Sequence, residues 1–347
     1  MFRISPQCST DDGFYGLGEY FDQVEHRGKV RTMHFVPAEL ESGHNEAHVP
    51  IPLLLGTRGW GLFIESLRPM VFALGTEEPD RFRAPVGVRE AGSEGIRFYL
   101  FAEDHPLDLT QHYYDITGYP GAISRTALGP WIWRDEVSGQ AQVEADFVTI
   151  RELDLATTGY WIDRPYATDV NSFDFKASTY PSPTEMMAKA SEKGFDMALW
   201  HTPYLDPEGL LSGTLYKEAE TKGYFPPVQS PLQAKWGPPI DFSNPAAYAW
   251  WQEQLDGYKA LGIRGYKLDY AQEVVVGGFG SRFPWSFADG TNELTMHRDY
   301  QRLYHRVYRE MLPETGGFLL VRSGTYGDQT HGTIIWPGDI DATMAQH

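Results

Sequence analysis

The first third of the chain shows short apolar runs of strand length, separated by Gly, Pro and Asp. These runs occupy residues 51–55, 60–64, 70–74 and 96–101. The segment Thr57-Arg58-Gly59 lies between two of them, which indicates a β-hairpin. The pattern predicts an antiparallel β-sandwich domain over residues 1–122.

From about residue 125 the pattern changes, because short apolar runs now alternate with longer amphipathic segments. This alternation is typical of βα units around a parallel sheet. Six candidate strands lie near residues 130–134, 159–163, 196–200, 263–269, 318–322 and 333–336. We therefore predict an α/β fold with a (β/α)8 TIM barrel in residues 123–347. A closed barrel needs eight strands, so this one looks truncated after about six.

Two helices stand out in the second region. One carries an apolar stripe at helical spacing, formed by Tyr300, Leu303, Tyr304, Val307, Tyr308 and Met311. The other is predicted from about residue 245 to Leu261. Asn244 supplies an N-cap for this helix, and Pro245 supplies a preset first turn.

Charge and composition narrow the classes of partner. The formal net charge is −18 over 347 residues and no basic cluster interrupts it, so nucleic acid is not an expected partner. No apolar run approaches the ~18 residues of a membrane span. The 20 Tyr, 19 Phe and 10 Trp can fill a core, but aromatic rings also stack on sugars. We expect most of these aromatic residues to fill the core. A neutral substrate such as a carbohydrate fits the charge better than an anionic one, and a homo-oligomer is possible.

The single cysteine, Cys8, excludes an internal disulfide framework and favours a reducing compartment. The first residues, Met-Phe-Arg-Ile-Ser-Pro-Gln, contain no apolar segment of a signal peptide. We therefore expect a cytoplasmic protein, provided that the chain starts at the true N-terminus.

Several chemically active residues fall where predicted barrel strands end, the edge at which barrel enzymes place their functional groups. They are Asp163, Trp200, Asp269 and Arg322, and Asp339 follows the sixth strand by a short loop. Retaining glycoside hydrolysis needs two carboxyl groups about 5–5.5 Å apart, one as the nucleophile and one as the acid/base. Asp269 and Asp339 are the candidates.

The neighbours of the two aspartates suggest separate roles. Lys267 precedes Asp269 by two residues, so on a strand both side chains project to the same side. We predict that Lys267 keeps Asp269 ionised as the nucleophile and also binds a substrate hydroxyl. Asp339 has no neighbouring cation in sequence, which suits the acid/base role.

These segments resemble glycoside hydrolase family 31. Tyr266-Lys267-Leu268-Asp269-Tyr270 is similar to its nucleophile segment, and Arg322-Ser323-Gly324 followed by Trp336-Pro337-Gly338-Asp339 is similar to its acid/base segment. The resemblance covers essentially the whole chain. It implies that Asp269 and Asp339 are catalytic. It also implies that the terminal sugar is held by Asp163, Trp200, Lys267, Arg322 and Trp336.

The segment His44-Asn45-Glu46-Ala47-His48 allows two interpretations. On a strand, His44, Glu46 and His48 would share one face and could form a metal tripod. We favour a polar loop and expect no metal and no cofactor. The family resemblance places this stretch where the N-terminal domain reaches the cleft, so that Asn45 or Glu46 contacts the substrate.

One departure from the family pattern bears on specificity. Arg164-Pro165-Tyr166 follows Asp163 where the family usually has an acidic or aromatic pair. Arg164 could meet an acidic or amide-bearing sugar, but we favour a structural ion pair. The leading hypothesis is a retaining α-glycosidase. The alternatives are an α-transglycosylase on the same scaffold and a non-catalytic carbohydrate-binding homologue or fragment.

Overall fold

The structure of the protein is a computed structural model. It describes residues 1–20, 22–33, 35, 48–87, 95–134, 138–230, 236–275, 277–278, 281–313, 316–336 and 338. Within these ranges the fold is mixed α/β, with antiparallel sheets in the N-terminal part and a parallel sheet in the C-terminal part. No helix in them combines the length and apolar character needed to cross a membrane.

The N-terminal part consists of short antiparallel strands. They are β1 (Phe2–Ile4), β2 (Phe14–Gly18), β3 (Val30–Thr32), β4 (Pro50–Gly56), β5 (Trp60–Glu65), β6 (Val71–Leu74), β7 (Phe82–Val86) and β8 (Arg97–Ala102). They form two four-stranded sheets with the orders β1-β7-β6-β3 and β2-β4-β5-β8. The four predicted apolar runs correspond to β4, β5, β6 and β8. The predicted hairpin joins β4 to β5, where Gly56 pairs with Trp60.

Side chains from both antiparallel sheets enter one buried cluster. Leu54 and Leu62 come from one sheet, and Phe72 and Phe82 come from the other. The ring of Trp60 stacks on Phe82 with 5.5 Å between centroids and an interplanar angle of 7°. The alternating burial along β7 is the pattern of a strand with only one face in a core.

The C-terminal part alternates strands and helices. The strands are β9 (Trp131–Arg134), β10 (Gly159–Ile162), β11 (Asp196–His201), β12 (Gly265–Leu268), β13 (Gly277–Gly278), β14 (Ser281–Arg282), β15 (Phe318–Val321) and β16 (Thr333–Ile335). The helices of the chain are α1 (Pro106–Thr117), α2 (Gln140–Glu152), α3 (Pro183–Glu192), α4 (Ser212–Lys222), α5 (Pro245–Leu261) and α6 (Glu293–Arg309).

Six of these strands form a parallel sheet in the order β9-β10-β11-β12-β15-β16, which curls into a half-barrel. All six predicted strands are confirmed. The two predicted helices are also confirmed. Asn244 caps α5 by accepting a hydrogen bond from the backbone N–H of Ala246 at 3.0 Å. The predicted stripe on α6 is buried at Tyr300, Tyr304, Val307 and Tyr308.

Alternation along the parallel strands separates two faces of the sheet. Side chains of one parity pack with the helices in the largest core, namely Tyr160, Ile162, Met197, Leu199, Tyr266, Leu268, Leu319 and Val321. The other parity must face the concave side. Asp163, Trp200, Asp269 and Arg322 all have this second parity, so their side chains converge at the carboxyl edge.

Glycines make room for large rings at the opposite end of the concave face. A Cβ on Gly159 would lie 2.4 Å from the ring of Trp131, and one on Gly265 would lie 2.2 Å from the ring of Phe318. The two rings meet with centroids 4.3 Å apart. Aromatic packing therefore fills the amino-terminal end, and the cavity of the fold lies at the carboxyl end.

Candidate active site

A cavity of about 340 Å³ opens at the carboxyl edge of the parallel sheet. Predicted site residues line it, namely Asp163, Trp200, Lys267, Asp269 and Trp336. Arg322 lies directly behind Asp269 and is only 2% exposed. The structure thus brings together all the predicted site residues that it describes.

Donors converge on the carboxylate of Asp269, which is 5% exposed. The indole Nε1 of Trp200 donates to Oδ2 at 3.0 Å, and the backbone N–H of Tyr270 donates to Oδ1 at 3.0 Å. The guanidinium Nη1 of Arg322 lies 3.4 Å from Oδ1. Hydrogen bonds and a cation at this distance stabilise the negative charge of a carboxylate and fix its orientation.

Lys267 does not form the predicted pair with Asp269. Its Nζ lies 3.0 Å from Oδ2 of Asp163 in a buried salt bridge. The prediction that Lys267 is the cation beside Asp269 is therefore wrong, and Arg322 occupies that place.

Strand register explains this exchange of partners. Trp200 pairs with Lys267, and Ile162 pairs with Leu199, so Asp163, Trp200 and Lys267 lie at one level of the barrel. Leu268 pairs with Val321, which puts Asp269 one layer higher, level with Arg322. Residues two apart in sequence therefore belong to different layers, and each finds its partner on a neighbouring strand.

Trp133 is a site residue that the sequence analysis missed. Its indole Nε1 donates to Oδ2 of Asp163 at 2.9 Å, and its ring stacks on Trp161 with 5.8 Å between centroids. The signal was present in the alternation Trp131-Ile132-Trp133 at the end of a predicted strand. That strand was predicted, but its last aromatic residue was not assigned to the cleft.

The ring of Trp336 contacts one cation from each of the two layers. Its centroid lies 4.6 Å from Nζ of Lys267 and 5.2 Å from Cζ of Arg322, both within cation–π range. The side chain is partly exposed, so that the ring can also be reached from the cavity. Trp336 thus lines the cavity, and its role in binding a substrate stays a prediction.

Arg164 differs from the other cations of the site. Its Cζ lies 5.3 Å from the centroid of Trp236 and 6.0 Å from that of Trp200. The structural ion pair favoured from sequence is not found in the described part of the chain. The guanidinium of Arg164 instead lies against the rings of Trp236 and Trp200.

Asp339 and Glu46 lie outside the described residues, as does His44 of the possible metal tripod. Their neighbours are described. Gly338 is buried beside His48 and Arg322, since a Cβ on Gly338 would lie 3.1 Å from Cε1 of His48 and 3.4 Å from Nη2 of Arg322. In the described ranges, no three His, Cys, Asp or Glu side chains gather as a metal site.

Comparison with known proteins agrees with this geometry. Residues 120–347 match the family model described as the glycosyl hydrolases family 31 TIM-barrel domain. A match over this much of the chain shows that it belongs to glycoside hydrolase family 31. The resemblance noted in the sequence is thereby confirmed.

Individual relatives have low sequence identity to this chain, but they align with nearly all of it. The chain is 23% identical over 352 residues to an α-xylosidase of Emericella nidulans, covering 96% of this chain and 42% of that protein. It is 25% identical over 374 residues to an isomaltosyltransferase of Sporosarcina globispora, covering 96% and 33%. A dextranase structure from Flavobacterium johnsoniae superposes with a TM-score of 0.86 at 20% identity, covering 97% and 42%. The chain thus spans less than half the length of these relatives.

Proposed function

We propose that the protein is a retaining α-glycosidase that hydrolyses terminal α-linked sugars. The observation that carries this proposal is the carboxylate of Asp269, which lines the cavity and accepts hydrogen bonds from Trp200 and Tyr270 beside Arg322. A nucleophilic carboxylate must be charged, accessible and fixed in direction. The described contacts of Asp269 support this role.

In this mechanism Asp269 attacks the anomeric carbon and forms a β-glycosyl enzyme, while Asp339 protonates the departing glycosidic oxygen. Asp339 then takes a proton from water, which attacks the same carbon and releases the sugar with its α configuration retained. The role of Asp339 rests on its sequence motif and on Gly338, the preceding residue, which packs against Arg322.

The remaining polar groups are suited to binding the sugar. Asp163 and Lys267 line the cavity as a buried pair, and they offer acceptors and donors to sugar hydroxyls. Trp200, Trp336 and Trp133 offer ring faces on which a pyranose can stack. We assign Arg322 to the support of Asp269, and we keep Glu46 as a substrate contact on the basis of sequence alone.

We further propose that residues 1–122 form a β-sandwich domain and residues 123–347 belong to the (β/α)8 barrel. The division is supported by the core that the two antiparallel sheets share and by the family match, which starts at residue 120.

The direct test is Asp269→Ala in the full-length protein, assayed with a panel of aryl α-glycosides of glucose, xylose, galactose and N-acetylgalactosamine. Loss of the nucleophile should lower kcat by roughly 10³-fold or more. Asp256→Ala, on the exposed face of α5, is the matched control and should behave as wild type. Hydrolysis at the wild-type rate by Asp269→Ala would rule out the assignment. The panel also identifies the sugar.

A transglycosylase is the second candidate, because the relatives include an isomaltosyltransferase and a structural neighbour is a cycloalternan-forming enzyme from Listeria monocytogenes. In that case a sugar hydroxyl replaces water in the second step. Product analysis at high acceptor concentration separates the two reactions. A fluorinated glycosyl donor should trap either enzyme as an adduct on Asp269, whereas a non-catalytic binding homologue would form none.

A further inference from the structure

A second cavity of about 220 Å³ adjoins the candidate active site. Its wall is the segment 164–171 together with Trp200 and Trp236. Arg164 and Trp200 line both cavities, so that the two spaces meet at these side chains. Since Trp200 also donates its indole N–H to Asp269, the second cavity begins one indole ring away from the proposed nucleophile.

Most polar side chains in this wall already have structural partners. The carboxylate of Asp169 accepts from two backbone N–H groups at the start of α4, at 2.6 and 3.1 Å. The amide of Asn171 donates to main-chain oxygens at 2.8 and 2.6 Å, and the hydroxyl of Thr168 donates to Asp174 at 2.6 Å. These contacts fix the positions of the polar side chains in the cavity wall.

Arg164 is the exception. In the part of the chain that the structure describes, its guanidinium forms no ion pair and no hydrogen bond, and it lies against the rings of Trp236 and Trp200. A guanidinium carries five N–H donors in a planar fork that matches carboxylates and other oxyanions. Aromatic walls exclude water and so strengthen its attraction for an anion.

The neighbouring cations are already neutralised. Lys267 is paired with Asp163, and Arg322 with Asp269. Arg164 therefore contributes a positive charge with no partner among the described residues, in a protein whose formal net charge is −18. Such a charge between two cavities is suited to recognising a negatively charged part of a substrate.

We propose that Arg164 and the second cavity form an anion-binding subsite, which selects α-glycosides carrying a carboxylate or another oxyanion close to the scissile bond. This inference rests on the proposed glycosidase function. The anion could belong to the terminal sugar or to the leaving group, and both present the same chemistry to Arg164.

The test compares three substrates in the full-length protein: a 4-nitrophenyl α-glycoside of the sugar found in the panel, its 4-carboxyphenyl analogue and 4-nitrophenyl α-glucuronide. Each is assayed with wild type and with Arg164→Gln. Losing one hydrogen-bonded charge pair should lower kcat/KM for the preferred anionic substrate by roughly 10- to 100-fold more than for the neutral one. Arg125→Gln removes the same charge from an exposed position before β9, at the opposite end of the barrel, and is the matched control.

A preference for the carboxyphenyl glycoside would place the anion on the leaving group, and a preference for the glucuronide would place it on the sugar. Titration calorimetry of the Asp269→Asn protein with both anionic substrates gives the same comparison without turnover. If the neutral glycoside is hydrolysed but Arg164→Gln leaves the ratio of kcat/KM values unchanged, the subsite is ruled out and the glycosidase function stands. The subsite would also be ruled out if each anionic substrate bound the Asp269→Asn protein and the Asp269→Asn/Arg164→Gln protein with the same affinity.

Discussion

At the level of single residues, the site is built from two buried pairs of opposite charge in successive layers. Lys267 and Asp163 are 8% and 5% exposed at their side chains, and Arg322 and Asp269 are 3% and 7% exposed. A buried pair adds little net stability over an apolar pair of the same shape. Removing one partner is costly, however, because it leaves a charge without compensation in a poorly solvated place.

This asymmetry predicts the behaviour of Lys267→Met. The variant leaves the carboxylate of Asp163 buried without its cation, and we expect a loss of about 3–5 kcal/mol in the free energy of unfolding. The double variant Lys267→Met/Asp163→Asn should recover a large part of that loss. Denaturant unfolding of the full-length protein measures both.

Lys222→Met is the control, because Lys222 and Glu218 form an exposed pair on α4 whose loss should leave the free energy of unfolding nearly unchanged. The strand register also predicts which positions interact. In double-variant cycles, the coupling in free energy of unfolding between positions 267 and 163 should exceed that between 267 and 269. The reverse order would mean that Lys267 belongs to the layer of Asp269.

Sequence could bring most of the described cavity residues together, with the exception of Trp133, but it could not predict their pairing. Parity and strand ends were enough to bring Asp163, Trp200, Asp269 and Arg322 to one edge of the sheet. Which cation meets which carboxylate depends on the register between β10, β11 and β12, and parallel strands that are buried on both faces carry no local signal for register. Proximity in sequence therefore assigned Lys267 to the wrong aspartate.

At the level of elements, the end of β11 forms a backbone hydrogen bond with the proposed nucleophile. The backbone oxygen of His201 accepts from the backbone N–H of Asp269 at 2.9 Å. The His201 ring is fully buried on the helix side, where its nitrogens meet the hydroxyls of Tyr166 at 2.8 Å and Tyr308 at 3.0 Å. Burial lowers the pKa of the His201 imidazole to about 3.

This shift gives stability a defined pH dependence. The folded protein holds His201 neutral, whereas the unfolded chain takes up a proton near pH 6.5. Between pH 6.5 and about 3, wild type should therefore lose about 1.4 kcal/mol of stability per pH unit through this residue, and above pH 6.5 it should lose none. His201→Gln keeps hydrogen-bonding groups for both tyrosines but cannot take up the proton.

Denaturant unfolding at pH 7.5, 6.5, 5.5 and 4.5 should show the difference in stability between wild type and His201→Gln shrinking as the pH falls below 6.5. The absolute cost of the substitution at pH 7.5 does not affect this comparison. Parallel profiles over the whole range would show that His201 is not kept neutral by burial.

Elements differ in how far the sequence could predict them. The six strands of the parallel sheet were predicted within two residues at each end, because each contains a short apolar run. The four inner strands are largely buried, whereas β9 and β16 at the edges of the sheet are partly exposed. The strands β1, β2, β3 and β7 of the N-terminal part were not predicted. Glycines interrupt β2, and Arg83 and Pro85 interrupt β7, so that neither shows a continuous apolar run. The strands β1 and β3 have three residues each and are partly exposed. Such short segments carry too few alternating positions to show a period.

At the level of the whole molecule, the N-terminal part is directly connected to the site. The backbone oxygen of His48, two residues before β4, accepts from the backbone N–H of Gly324 at 3.0 Å, just beyond β15. The buried Arg298 at the start of α6 donates to the backbone oxygen of Leu67 at 3.2 Å. Gly338, the residue before the proposed acid/base in sequence, packs between His48 and Arg322, so that three distant parts of the chain meet at Gly338.

Gly338→Ala tests whether this junction matters for catalysis. Gly338 has φ = +95°, and an added Cβ would meet Cε1 of His48 at 3.1 Å and Nη2 of Arg322 at 3.4 Å. Gly262→Ala is a close match in backbone conformation, because Gly262 has φ = +91° but nothing within 4 Å of the added Cβ.

Both variants should lose about 1–2 kcal/mol of stability from left-handed backbone strain. Only Gly338→Ala should also displace Arg322 and the neighbouring Asp339, and so lower kcat by about tenfold or more, since small misplacements of catalytic groups are costly. Equal kcat values for the two variants, measured on the same aryl α-glycoside, would show that the contact with His48 and Arg322 does not position the catalytic pair.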